Sequence, residues 1–159
     1  RIMGKKTLLA QVKGYLKKLD LIFDMDEENN IFSLSFDMDN TQVEVIIKCD
    51  MEIDRLILSG FSTIEVSKDK RPAVLEKINQ IHWKESWNAH LLINEEAKSI
   101  MSYVVLYAFE GLVYDVFYET LSDIANIIDK HFKELMQIIV NPDLCEMAMK
   151  MQDKNSLAN

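Results

Sequence analysis

The sequence predicts an α+β fold in which a five-stranded antiparallel sheet packs with helices in the order α-β-β-β-α-β-β-α. Three observations carry this expectation. Apolar residues recur at spacings of three and four near both ends of the chain and once in its middle, the mark of a helical face. Between these stretches lie five segments of strand length, most of them alternating with period two. The strands of each group are joined by links too short for the crossover that a parallel pair needs.

The first helix covers about Lys5 to Leu19, where Leu9, Val12, Leu16 and Leu19 share a face and Gly14 weakens the helix modestly. Asp24 to Asn30 reads as a polar loop. Phe32, Leu34, Phe36 and Met38 then alternate with Ser33, Ser35 and Asp37, a half-buried strand turned by Asp39-Asn40. Val43, Val45, Ile47 and Cys49 alternate with Gln42, Glu44 and Lys48 in a second strand. Polar residues from Asp50 to Asp54 reverse the chain into a third, from about Arg55 to Phe61. Pro72 suits the first turn of a second helix, whose Val74, Leu75, Ile78 and Ile81 keep helical spacing to about Trp83. A fourth strand covers about Trp87 to Ile93, Asn94-Glu95-Glu96 turns it, and a fifth runs from Ser99 to Phe109.

The last long helix is the clearest element. Phe117, Leu121, Ile124, Ile128, Phe132, Leu135 and Ile139 line one side, with Glu119, Asp123, Asp129, Lys130, Lys133 and Glu134 on the other, and Asn141-Pro142 stops it. Leu144, Met147 and Met151 beyond it have the spacing of one more short amphipathic helix. The chain thus divides into a single α+β domain over 1–141 and a tail over 142–159.

A chain of 159 residues, 48% hydrophobic and 28% charged, is long enough and mixed enough to bury a globular core. Its net charge of −8 opposes a nucleic-acid surface, which needs a basic footprint. The charge is uneven. Residues 1–19 hold six basic residues and no acid, while residues 20–54 hold eleven acids and Lys48 as their one base. A basic amphipathic first helix can mark a membrane surface or a partner groove, or present a solvated face beside an acidic sheet. No uncharged apolar run reaches membrane-spanning length. The N-terminal Arg1-Ile2-Met3-Gly4-Lys5-Lys6 lacks the apolar core of a secretory signal, and Cys49 and Cys145 are set far apart, so a cytoplasmic location is expected.

Candidate chemistry is sparse. Cys49 sits on the apolar parity of its strand, which predicts a buried inert thiol, and Cys145 has no base nearby in sequence. His82, His90 and His131 lack the tight spacing that presents two imidazoles to one metal. Asp24, Asp26 and Glu28 alternate as in a calcium loop, but Asn29 stands where the loop needs glycine and Ser35 where it needs glutamate. Asp50, Glu52 and Asp54 read as turn acidity, and the four glycines (4, 14, 60 and 111) form no phosphate-binding loop. The expectation is no enzyme, no cofactor and no metal.

Two features point to binding instead. Trp83 and Trp87 bracket the corner between the second helix and the fourth strand, with His82 and His90 beside them. Tryptophans so placed anchor an interface or close a core. The fifth strand is apolar on both parities: Ile100, Val104 and Leu106 face one way, and Met101, Tyr103, Val105 and Tyr107 the other. A sheet with helices on one face should alternate cleanly, so the second face is covered by this chain or meets another protein.

Ile78-Asn79-Gln80-Ile81-His82, then Trp87-Asn88-Ala89-His90-Leu91-Leu92, then the apolar strand through Tyr107, make a helix, a short corner and a strand pair. This passage, with the order of elements over about residues 5–140, resembles the YbjN-like family, whose fold is shared with the type III secretion chaperones. The resemblance is architectural and transfers no functional residue. It implies a small, acidic, often dimeric bacterial protein without an active site. Secretion chaperones of this fold bind unfolded client segments along exposed apolar surface, and YbjN-like proteins are described as sensory-transduction regulators. The Met-rich tail beyond Pro142 departs from the family pattern.

The expected function is a non-enzymatic protein-binding module, chaperone-like or regulatory, acting as a homodimer on a possible protein client, with Trp83, Trp87, Met101, Tyr103, Val105 and Tyr107 as the candidate surface. The alternatives are a small-ligand sensor with a pocket near Trp83, Trp87 and His90, and a membrane-surface protein that docks through its basic first helix.

Overall fold

The computed structural model describes residues 5–140. The sequence readings of the N-terminal residues 1–4 and of the tail, including the helical spacing of Leu144, Met147 and Met151, lie outside the described residues. The elements are α1 (Lys5–Lys18), β1 (Asp24–Asp26), β2 (Ile31–Asp37), β3 (Gln42–Asp50), β4 (Arg55–Glu65), α2 (Arg71–Lys84), β5 (His90–Ile93), β6 (Ser99–Tyr107) and α3 (Tyr114–Val140). They form a six-stranded sheet in the order β1-β2-β3-β4-β6-β5, with every neighbouring pair antiparallel.

The expected sheet of five strands is therefore corrected to six. The stretch read as a polar loop contains β1, whose Met25 pairs with Phe32 while Asp24 and Asp26 point to water. Three residues are too few to show a period, and the flanking acids read as turn chemistry. The Asp26 carboxylate accepts bonds from the Asn29 backbone and side chain, and Asn30 takes a left-handed φ of 57°, which closes the hairpin.

The strand expected from Trp87 begins only at His90. Trp87 and Asn88 lie in the connection, held by side chains: the Trp87 indole donates to Glu85 at 2.7 Å and the Asn88 amide donates to Asp123 at 2.8 Å. β6 ends at Tyr107 rather than Phe109. β4 runs past Phe61 to Glu65 through an irregularity in its register with β6, where the Ser62 hydroxyl donates to the Ile100 carbonyl.

α1 centres its buried stripe on Leu8, Val12 and Leu16, with Leu9 and Leu19 at the margin. Its end is a Schellman motif: the Leu21 amide bonds the Leu16 carbonyl, the Asp20 amide bonds that of Lys17, and Asp20 adopts φ 55°. Tyr15 donates to the Leu112 carbonyl and Gln11 accepts from the Leu112 amide, tying α1 to the entrance of α3.

The core lies between the helices and one sheet face. That face carries Phe32 and Leu34, Val43, Val45, Ile47 and Cys49, Leu56 and Leu58, Leu91 and Ile93, and Ile100. α3 lies over β3, β4, β6 and β5, and α2 packs on α3 and β5. Gly60 permits this approach. A Cβ at Gly60 would meet the Ser102 hydroxyl and would stand 3.0 Å from both the Ile124 carbonyl and its Cγ2. The Ser102 hydroxyl instead donates to that carbonyl at 2.7 Å. Further along α3, the buried Asp129 carboxylate accepts the amides of Asn40 and Thr41, so the β2–β3 turn is pinned to the helix.

Alanine at the two glycines should shift stability in opposite directions. Gly60→Ala must lift α3 from the sheet and should cost about 1–3 kcal/mol. Gly14→Ala, on a solvent-facing helical position with open space around it, should add about 0.5–1 kcal/mol. Urea midpoints at a constant denaturant slope measure both.

Candidate protein-binding surface

The second sheet face follows from the register. Leu56 and Leu58 point into the core, so Ile57 points away from it, and the paired residues Lys48, Ile57 and Val105 share the outer side. By the same rule Met101 stands beside Phe61 and Leu92, Tyr103 beside Ser59 and His90, and Tyr107 beside Arg55. Ile46 continues the row onto β3 opposite Ser59. The result is an apolar band of Ile46, Ile57, Phe61, Leu92, Met101, Tyr103 and Val105 across four adjacent strands. All of these except the buried Met101 are half-buried, covered only by one another in the described residues.

The rim of the band is polar. Glu44, Lys48 and His90 are exposed. Arg55 pairs with Asp50 at 3.0 Å, and hydrogen bonding to Tyr107, then to Asp50, raises the guanidinium further above its ordinary range. Tyr107 is 54% exposed and stacks on Phe109 at 5.2 Å. Of the six residues singled out by sequence, the structure thus brings Met101, Tyr103, Val105 and Tyr107 into one surface. Ile46, Ile57, Phe61 and Leu92 escaped the sequence reading. The signal was present in Ile46-Ile47 and Leu56-Ile57-Leu58, where an apolar residue occupies the polar parity of its strand.

The two tryptophans part company. Trp83 is 88% exposed on α2, and Leu75, also exposed, lies eight residues earlier on that helix, about 80° away around its axis. Trp87 packs against the core, 6.5 Å from the His131 ring and 5.7 Å below the Lys130 ammonium. His82 serves the sheet: its Nε2 accepts the Leu91 amide at 3.0 Å, and its ring meets that of His90 at 5.5 Å. The supposed Trp83–Trp87–His90 pocket is thus divided between a solvent-facing helix side and a packed corner. A cavity of about 230 Å³ lies elsewhere, lined by Leu19, Leu21, Phe36, Met38, Tyr118 and Leu121 between α1, β2 and α3.

Glu85 gathers the corner. It accepts from Trp87, from His131 at 2.9 Å and from Lys130 at 3.0 Å. Burial pushes its carboxyl up, but the bonds from His131, Trp87 and Lys130 outweigh this and hold it down at about 2. Such a cluster fixes a loop. Nothing in it resembles a nucleophile with its base. Cys49, the free cysteine of the described residues, is buried, and desolvation pushes its thiol up to about 12. Among the described residues no group of three His, Cys, Asp or Glu side chains could hold a metal, and no helix is long and apolar enough to cross a membrane.

No family model and no curated protein matches the sequence. Solved structures do match the fold. A chain of the ExsC–ExsE complex superposes with a TM-score of 0.63 at 17% identity, covering 84% of this chain and 97% of that one. YbjN of E. coli gives 0.57 at 13% identity over 79% and 92% of the two chains. The HopA1–SchA chaperone–effector complex gives 0.52 at 17% identity over 79% and 94%. The fold is therefore the one shared by YbjN and type III secretion chaperones, as the resemblance in the sequence implied.

The Glu85 cluster sets an acid limit. Because the folded carboxyl titrates below the unfolded value of about 4.3, its stabilising contribution is complete above that value and is lost as pH falls toward 2. Glu85→Gln should lower the urea midpoint at pH 7. The gap between variant and wild type should narrow as the pH is taken from 5 to 2.5.

Proposed function

We propose that this chain is a non-enzymatic protein-binding module that works as a homodimer in the cytoplasm and holds an apolar segment of a client on its open sheet face. The observation behind this reading is the band from Ile46 to Val105, a half-buried apolar surface on which no described helix packs. A sheet face destined for water alternates to polar residues. This one does so at its rim and, within the band, at Ser59 alone. Burying further apolar area there would contribute about 25 cal/mol per Å². A band that crosses four strands suits an extended segment, with Lys48 and Arg55 toward one end of the strands and Glu44 toward the other to fix its direction.

The structural neighbours support the reading, since two of them were solved as complexes of two different proteins, one named a chaperone–effector complex. The dimer would use a different surface, the exposed side of α2 with Leu75 and Trp83. A tryptophan 88% exposed on a rigid helix is the kind of aromatic anchor that centres an interface.

The two surfaces can be tested separately. Light scattering should return twice the chain mass for wild type and one chain mass for Leu75→Arg/Trp83→Arg. A single-chain mass for wild type would overturn the dimer. A reduced and carboxymethylated, permanently unfolded lactalbumin should bind wild type and lose at least tenfold in affinity with Val105→Lys, at an unchanged far-UV spectrum and melting temperature. Equal affinity for the two proteins would remove the open face from the function.

A further inference from the structure

We propose that the stretch of client held on the open sheet face is an extended segment with an acid two residues to one side of an apolar anchor and a base two residues to the other, and that the anchor seats over Ser59 between Lys48 and Glu44. The inference names the chemistry of the partner and rests on the reading of this face as a binding surface.

The seat follows from the register. Ser59 lies on β4 with Ile46 directly across on β3 and Tyr103 directly across on β6. Ile57 and Phe61 stand two residues before and after it on the same side of β4. A short side chain is thus framed by four large ones, and all five residues are half-buried. The small residue leaves a hollow in the middle of the band. A hollow removes more of an apolar side chain from water than a level surface does, so it is the place for an anchor.

The charges stand at the diagonals of that hollow. Glu44 pairs with Phe61 and Lys48 with Ile57, so they flank Ile46 on β3 from opposite sides. Four residues of one strand separate them (48 − 44), roughly 13 Å at about 3.3 Å per residue. Both are exposed, and neither is used by an opposite charge. Lys48 has no ion pair among the described residues. The Glu44 carboxylate accepts the Ser35 hydroxyl at 2.9 Å and meets no cation among the described residues. Asp50, the next acid along β3 on this side, is occupied: it accepts from Arg55 Nε at 3.0 Å and from the Glu52 amide at 3.2 Å. Asp26, on the same row as Lys48, is two strands away beyond Ile31.

An extended segment matches this spacing. Its alternate side chains face the sheet, and those two residues before and two after an anchor are as far apart as Lys48 and Glu44. Glutamate and lysine are long enough to absorb the angle of about 30° at which a strand packs on a sheet face. An acid over Lys48 with a base over Glu44 is attractive at both ends. Two acids, or two bases, leave one end repulsive.

The test uses the full chain and three end-capped peptides built on one leucine. One has glutamate two residues before the leucine and lysine two residues after it. The second has glutamate at both places and the third lysine at both. Affinities are read from the amide shifts of Ser59 and Tyr103. The mixed peptide should bind wild type about fivefold more tightly than either of the others. Lys48→Glu should transfer the preference to the two-lysine peptide, and Glu44→Lys to the two-glutamate peptide. Ser59→Leu, which fills the hollow, should weaken all three about tenfold. Equal affinities of the three peptides for wild type would overturn the proposal, as would preferences that do not move in the charge variants. Undiminished binding by folded Ser59→Leu removes the seat. Lys48 and Glu44 are exposed, so their variants decide the matter even where Ser59→Leu does not fold. The carboxymethylated lactalbumin separates the two levels. If it binds wild type while the peptides are bound without discrimination or not at all, the acid–base recognition alone falls. If neither it nor any peptide binds, the binding surface falls and this proposal with it.

Discussion

The contact between α3 and the middle of the sheet sets where the other elements stand. Gly60 gives the helix a place to lie, and the Ser102 hydroxyl bonds the Ile124 carbonyl across it. From that anchor the 27-residue helix reaches each part of the fold in turn. Its first turns meet Tyr15 of α1, its Asp129 holds the β2–β3 turn, and its His131 and Glu134 reach Glu85 and Lys77 of α2 and the loop beyond. A buried carboxylate such as Asp129 is tolerable because two backbone amides are turned toward it, and those amides fix the turn that presents them.

Placing all the described helices on one side leaves the sheet with two unlike faces. The inner face is saturated by Phe32, Ile47, Leu58 and Ile124 and their neighbours. The outer face inherits whatever residues occupy the opposite parity, and on β3, β4, β6 and β5 these are largely aliphatic and aromatic. The polar outer residues of β2, Ser33 and Ser35, show what an ordinary solvent-facing strand of this sheet looks like. The contrast between β2 and β6 within one sheet turns an apolar strand into a surface with a direction and a boundary.

The corner at Glu85 shows how aromatic and titratable residues serve architecture. Trp87, His131 and Lys130 converge on one carboxylate, which replaces the sheet pairing that the connection from α2 to β5 lacks. His82 performs a similar task at the sheet edge, where its ring nitrogen takes the Leu91 amide. In each case a residue type that suggests catalysis is satisfying a backbone or loop that has no regular partner.

The sequence by itself determined the elements whose periods are long. α1, α2, α3 and the strands from β2 to β6 follow from spacing, because burial on one side imposes a repeat of 3.6 or of two on any segment long enough to show it. β1 was illegible, since three residues flanked by acids have no period. The start of β5 was displaced because Trp87 is held by side chains far away in sequence. The two-sided apolarity of β6 was also readable, and it located Met101, Tyr103, Val105 and Tyr107. Only the tertiary structure decided that these join Ile46, Ile57, Phe61 and Leu92 in one band, that Trp83 and Trp87 belong to different surfaces, and that the described helices all lie on the other side. Strand order and register are long-range choices, made by which faces can be buried together, and a local pattern holds no record of its partner.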